Sequence, residues 1–196
     1  LEQKDFSLNG IKVDVIKCSK DKIIEILNEE KNSFMRRISS FLSSGVSINL
    51  DKKNTELIEY SKKVFVHPVP KLKSEDLSKI KEFIERHKRV SKDYFDRYSD
   101  LSYFSRISFA VQELTQYYFK LNKQFIPNWK DLSESIKITP FKNSLINFYT
   151  KPTLKEKYES FTALLLQLEE LLKKYTRLTQ YIWLANTLVR SIFTKN

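Results

Sequence analysis

Glycine is nearly missing from this 196-residue chain, which contains two. A phosphate-cradling P-loop and a dinucleotide fingerprint both need several glycines at fixed spacing, so neither can be built. Few glycines also mean few tight turns, which suits long helices. Cysteine is scarcer still. Cys18 stands alone, so no disulfide can close within the chain and a cysteine-based zinc site lacks its sulfurs. A reducing compartment is the default for such a chain. Histidine occurs only at His67 and His87, without HExxH spacing or a cysteine cluster. G-x-S-x-G is absent too. No catalytic residue, no metal ligand and no cofactor-binding residue is therefore expected. An unbroken run of about 18 apolar residues, the span of a membrane helix, is also lacking. The best candidate, Tyr181 to Phe193, is interrupted by Asn186 and Arg190. Leu1 to Asp5 is too charged to read as a signal peptide. A chain that opens on Leu1 and has its single methionine at Met35 reads as a segment of something longer.

What the chain does have is positive charge, aromatics and helical periodicity. Hydrophobic residues make up 41% and charged residues 30%, the balance of a folded protein. The net charge of +11 favours polyanionic partners: anionic lipid, nucleic acid or acidic protein. The excess is spread along the chain, with 13 basic against 10 acidic residues in 1–72, 11 against 8 in 73–126, and 11 against 6 in 127–196. Two stretches exceed this background. One is the lysine series Lys120, Lys123, Lys130, Lys151, Lys155 and Lys157. The other is Leu171 to Asn196, where Lys173, Lys174, Arg177, Arg190 and Lys195 occur without a single acid. Arg86-His87-Lys88-Arg89 is a third group, but the surrounding Glu82, Glu85, Asp93 and Asp96 favour pairing along a solvated helix face. The adjacent acids Glu29-Glu30 and Glu169-Glu170 are likewise expected on solvated surface.

The pattern predicts a mainly α fold: long antiparallel helices, as a coiled coil or elongated bundle, beside a small N-terminal α or α+β portion. The small portion covers 1–70 and the long-helix bundle, with a helical hairpin, covers 71–196. In the first, Ile11-Lys12-Val13-Asp14-Val15 alternates as a half-buried strand does, and Asn9-Gly10 suits a hairpin turn. A helix follows from Ser19, a suitable N-cap, to Gly45. A second runs from Thr55 to Lys63, and Val64 to Pro70 is an extended connector because of its prolines.

From Ser74 to Phe125 neither glycine nor proline occurs. Apolar residues recur at alternating spacings of three and four, including Leu101, Phe104, Leu114 and Leu121, as a helix-pairing seam requires. Two threes meet at Leu101-Phe104-Ile107, a register slip. Thr139-Pro140 opens a short helix presenting Phe141, Leu145 and Phe148, with Trp129 a packing plug before it. The last run, Thr153 to Phe193, has a seam through Phe161, Leu165, Leu168 and Leu172. It slips at Tyr175-Leu178 and resumes at Ile182, Ala185, Val189 and Ile192. Two arrangements satisfy both runs. Either each is one long helix, roughly 75 Å for the first, and the two pair with their slips aligned and the lysines gathered at one tip. Or each breaks at its slip into shorter helices of a compact bundle.

Ile84-Glu85-Arg86-His87-Lys88-Arg89, running on to Tyr94-Phe95-Asp96-Arg97-Tyr98-Ser99-Asp100-Leu101, resembles the first long helix of a sorting-nexin-type BAR domain. Phe161 to Tyr175 resembles a later helix of that family. The resemblance covers about a third of the chain, lacks a third full-length helix and does not extend to 1–72. It implies a protein that dimerises through long helices and meets anionic membranes through basic tips. The expected function is thus a non-enzymatic scaffold or adaptor, binding a partner protein or its own copy through the seams. An anionic membrane surface would be its second contact, as in membrane trafficking, with the chain cytoplasmic or peripheral on an intracellular membrane. The alternatives are a nucleic-acid-binding helical domain, which has charge as its sole support, and a structural subunit without membrane contact.

Overall fold

The structure, a computed structural model, describes residues 2–8, 11–44, 52–97 and 100–193. It is mainly α-helical and divides into two compact units, residues 1–70 and 71–196.

The first unit opens with a hairpin. Strand β1 (Glu2–Leu8) pairs antiparallel with β2 (Ile11–Lys17), in register from Leu8 opposite Ile11 to Glu2 opposite Lys17. The Asn9-Gly10 turn lies outside the described residues. Lys4 and Asp5 are part of β1, because a ladder uses backbone donors and acceptors whatever the side chain. Helix α1 (Lys20–Lys31) begins where expected, with the Ser19 hydroxyl accepting from the Lys22 amide at 3.3 Å. It does not reach Gly45, which is also outside the described residues. The helix stops at Asn32, and α2 (Arg37–Ser43) starts afresh.

Two charged side chains make that break. The buried Glu30 carboxylate accepts from the Ile38 and Ser39 amides at 2.7 and 2.9 Å, satisfying the open N-terminus of α2. The buried Arg36 guanidinium donates to the carbonyls of Lys31, Ser33 and Met35. Glu30 is thus a structural cap and not solvated surface. Helix α3 (Lys52–Phe65) extends past both expected ends and takes in the first two residues of the connector. Leu27 of α1, Ser39 of α2 and Val64 of α3 are among the unit's buried residues.

The second unit contains α4 (Ser74–Arg97), α5 (Asp100–Leu121), a 3-10 turn (Trp129–Asp131), α6 (Leu132–Ser135), α7 (Thr139–Thr150) and α8 (Leu154–Phe193). The run from Ser74 to Phe125 is therefore not one helix. It ends at Arg97 and restarts at Asp100, and α5 folds back along α4. Ser99 and Asp100 belong to the residue types that favour helix starts over helix interiors. Folding back buries Tyr103, Ile107, Val111, Leu114 and Tyr118 in the same core as Ile80 and Ile84 of α4.

Aromatic contacts fix the directions. Phe95 at the end of α4 stacks on Tyr158 at the start of α8 (4.9 Å) and lies 5.7 Å from Tyr103 at the start of α5. Phe104 stacks on Phe148 and Tyr118 on Phe141, so α5 and α7 are antiparallel. Helix α8 is accordingly parallel to α5 and antiparallel to α4 and α7. Phe141, Leu145 and Phe148 are all buried, as expected of α7. That helix takes Thr139 as its first residue, however, and Ile138 as its cap. Its entry is held by the Tyr118 hydroxyl, which accepts from the Ile138 amide at 3.3 Å. Trp129 is more than half exposed and plugs nothing.

Candidate functional site

Helix α8 starts with two reciprocal bonds. The Thr153 hydroxyl accepts from the Glu156 amide, and the Glu156 carboxylate accepts from the Thr153 amide, each at 3.3 Å. This is a capping box spelled Thr153-Leu154-Lys155-Glu156. The helix then runs for 40 residues, about 60 Å. Its partners are shorter: the 22 residues of α5 reach about 33 Å.

Burial along α8 records this mismatch. Phe161, Leu164, Leu165 and Leu168 are buried, and Leu171, Leu172 and Tyr175 are half-buried against the same core. Farther on, Leu178 is 50% exposed, Tyr181 70% and Ile182 56%. The slip at Tyr175-Leu178 does not break this helix. It falls where α8 leaves its own bundle.

The seam expected from sequence is thus partly assembled. Leu114, Leu121, Phe161, Leu165 and Leu168 are core, and Phe104 and Leu172 are half-buried at its edge. Leu101 is 78% exposed and belongs to no seam. The first turn of α5 presents Tyr103 to the core instead, one consequence of α5 folding back along α4.

Nor do the six lysines gather at one tip. Lys123 lies over the Tyr175 ring at 5.7 Å, whereas Lys157 lies over the Phe104 ring at 5.0 Å. These two sites mark opposite ends of the bundle, since Lys123 follows Leu121, which is roughly 25 Å from Phe104 along α5. Lys151 and Lys155 flank the start of α8 with Lys157, and Lys120 ends α5 near Lys123. Lys130 is in the exposed 3-10 turn.

Lys157 and Lys151 also have structural work. Lys157 donates to the Phe148 carbonyl at 3.1 Å, a cation closing the C-terminus of α7. Lys151 pairs with Glu156 at 3.5 Å. Lys88, expected to pair along its own helix, instead joins α4 to α8 through Glu169 at 2.6 Å. Glu169 also meets Lys173 at 3.7 Å, so it is a bridging group and not idle surface. Its carboxyl is held below the ordinary range, first by the Lys88 hydrogen bond.

Three concavities surround the exit of α8. A groove of about 340 Å³ against α4 is floored by Ile84 and Leu172 and rimmed by Lys81, Lys173 and Arg177 together with Glu85 and Glu169. On the α7 side, a groove of about 450 Å³ lies among Phe141, Leu166, Leu171 and Lys174. Between them is a notch of about 220 Å³ where Leu121, Lys123, Ile138, Lys174, Tyr175 and Leu178 converge.

The notch contains a backbone feature that the sequence did not announce. The Gln124 amide donates to the Phe119 carbonyl at 2.9 Å and the Lys123 amide to the Lys120 carbonyl at 3.1 Å. This is a Schellman closure of α5, which places Lys123 at the left-handed position with φ 55°. Glycine is the usual occupant there. The sequence marks only that the helix stops before Pro127, and not which residue takes the left-handed position.

Elsewhere the aromatic interior is inert packing. His87 is half-buried between Phe83 (4.4 Å) and Phe161 (5.8 Å), and burial, then the Arg86 charge, lowers its pKa. Tyr103 is fully buried and burial raises its pKa. Among the described residues no group of three or more His, Cys, Asp and Glu side chains could hold a metal ion. No helix among them is long and apolar enough to cross a membrane. Comparison with protein-family models, curated proteins and solved structures gave no match.

Proposed function

We propose that this chain is a non-enzymatic helical scaffold or adaptor that holds a partner protein on the outer part of α8. The observation that carries this reading is the continuity of the α8 stripe. The 3-4 spacing that forms the core at Phe161, Leu165 and Leu168 reaches Tyr175, slips once, and resumes from exposed Leu178 to exposed Ile182. Large apolar residues in a contiguous row, beyond the reach of the helices that cover the first half, are the mark of an interaction surface. The basic root of the overhang supports a second reading, contact with an anionic membrane surface, with the chain peripheral and cytoplasmic. The division of the lysines between two ends gives that reading less support than a single tip would. The likeness to a sorting-nexin-type BAR domain adds only a texture of apolar spacing.

A photoreactive phenylalanine analogue placed at Tyr181 of the full chain, in its native cells, tests the main reading. The expected result is a discrete protein adduct that disappears when Ile182→Asp is added and is absent with the probe at exposed Glu75. Equal labelling from both positions would overturn it. Lipid adducts from Tyr181, together with sedimentation on anionic but not neutral vesicles, would put the membrane reading in its place.

A further inference from the structure

We infer that the occupant of this face is an acidic amphipathic helix, seated with its carboxylates at the root of the overhang; the inference rests on the scaffold reading and specifies its partner. Glu170 is the last acid of the chain, and from Leu171 to Asn196 there are five bases and no acid. Three of the five, Lys173, Lys174 and Arg177, stand where α8 leaves the bundle. They line the concavities on its two sides, with Lys81 and Lys123 contributed by α4 and the end of α5. Glu85 and Glu169 share the α4-side groove with its bases and Glu170 shares the α7-side groove with Lys174, whereas the notch has an apolar floor and a basic rim without acids, formed by Lys123 and Lys174. A helix carrying leucine-type residues at 3-4 spacing and carboxylates beside them is the complement of such a surface.

Lys123 gives a second, independent reason. It occupies a left-handed position that a side chain disfavours sterically and that glycine adopts without steric cost. Glycine there would remove a cation from the notch and from above the Tyr175 ring. Keeping a lysine at a strained position makes sense when the charge is used.

The other occupants fit less well. A second copy would set the same five bases against themselves, a like-charge juxtaposition that interfaces avoid. A helix lying in a lipid interface has a polar face rich in lysine and arginine. From Leu178 to Phe193 the polar residues are Thr179, Gln180, Asn186, Thr187 and Ser191, with Arg190 the one charge. Neutral polar residues beside a long apolar row suit burial against protein. The overhang from Leu178 to Phe193 is 16 residues, about 24 Å, so a partner helix of four to five turns would cover it.

Two synthetic helical peptides with the same leucine seam test this against the full chain, one flanked by glutamates and the other by lysines. The glutamate peptide should bind at least about tenfold tighter, with the difference shrinking as salt is raised. Lys174→Glu and Lys123→Gly should each weaken it severalfold without weakening the lysine peptide, and Ile182→Asp should abolish binding of both. Equal binding of the two peptides would overturn the acidic assignment while leaving helix docking intact. Binding of neither would also overturn it, and the Tyr181 adduct would then decide separately whether the face docks a protein. Self-association that vanishes in Ile182→Asp would make a second copy the occupant. Capture on anionic vesicles that the glutamate peptide cannot displace would make it a membrane. Either result overturns the proposal.

Discussion

The two halves of α8 are built from the same kinds of residue and end in opposite situations. From Leu154 to Tyr175 the apolar stripe meets α4, α5 and α7 and becomes the centre of the core. From Leu178 onward the helix continues, with Leu178 half-exposed and Tyr181 and Ile182 more than half in solvent. The charge also differs. The first half carries Glu156, Glu159, Glu169 and Glu170 among its lysines, and the second carries no acid at all. Helix formation is thus separable from core formation here. Propensity and the capping box sustain a helix well beyond the point where packing stops rewarding it. On the scaffold reading proposed above, this second half is the part that a partner would cover.

The comparison can be broken most directly by truncating one residue in each half. Leu168→Ala removes a fully buried side chain and should destabilise the second unit by about 2–5 kcal/mol. Leu178→Ala removes the same atoms from a half-exposed site and should change stability by no more than about 0.5 kcal/mol. Chemical denaturation of the two variants, followed by tryptophan-independent far-UV signal, measures both. Similar losses would mean that the overhang is already packed on something within the chain.

The second contrast is Lys123 against an ordinary helix end. Replacing it with glycine relieves the left-handed strain but adds glycine's entropy to the unfolded chain. The net gain should be about 1 kcal/mol or less, seen as a higher denaturation midpoint. A gain in stability accompanied by weaker peptide binding would separate the structural and binding roles of this position. A loss in stability would show that the lysine's contact with Tyr175 outweighs the strain.

These positions also show what could be read from the chain alone. Helix α7 was legible because Pro140 marks its start and Phe141, Leu145 and Phe148 repeat at helical spacing. The α8 seam was legible for the same reason from Phe161 to Leu172, whereas Ala185, Val189 and Ile192, where it was expected to resume, lie outside the described side chains. The division of 74–121 was one of two readings that the slip at Leu101-Phe104-Ile107 left open, because neither glycine nor proline marks it and Ser99-Asp100 pass for polar positions in a continuous helix. The burial of Tyr103 and Ile107 against α4 decides that fold-back, and spacing does not carry tertiary gain. The α1–α2 break depends on Glu30 reaching amides eight and nine residues ahead. No periodicity window registers such a cap. The site was half legible: the acid-free basic tail could be counted, but its concentration around the exit of α8 depends on where α4, α5 and α7 end. The single lysine tip failed because it assumed one long hairpin, whereas the fold-back puts Lys123 and Lys157 at opposite ends.

The smallest expected effect sharpens the covered side of the comparison. His87 lies on α4 against Phe161 of α8, within the half of α8 that is packed. Burial is the main reason its pKa is lowered, the neighbouring Arg86 charge adds to it, and Glu113 on α5 opposes it. A histidine whose folded pKa lies below its unfolded value of about 6.5 favours the neutral ring in the fold. Its contribution is therefore complete above the unfolded pKa and is lost as pH falls through the lower folded one. Stability of the second unit should decline on acidification from pH ~6.5 toward ~5, more steeply in the native chain than in His87→Phe. That variant keeps an aromatic ring between Phe83 and Phe161 and removes only the titration. If the two proteins lose stability in parallel over that range, the acid sensitivity arises from the carboxylates, Glu169 in its bridge to Lys88 first among them. Binding at the overhang, which contains no histidine, should be indifferent to the same substitution, so the two halves of α8 would respond to pH through different groups.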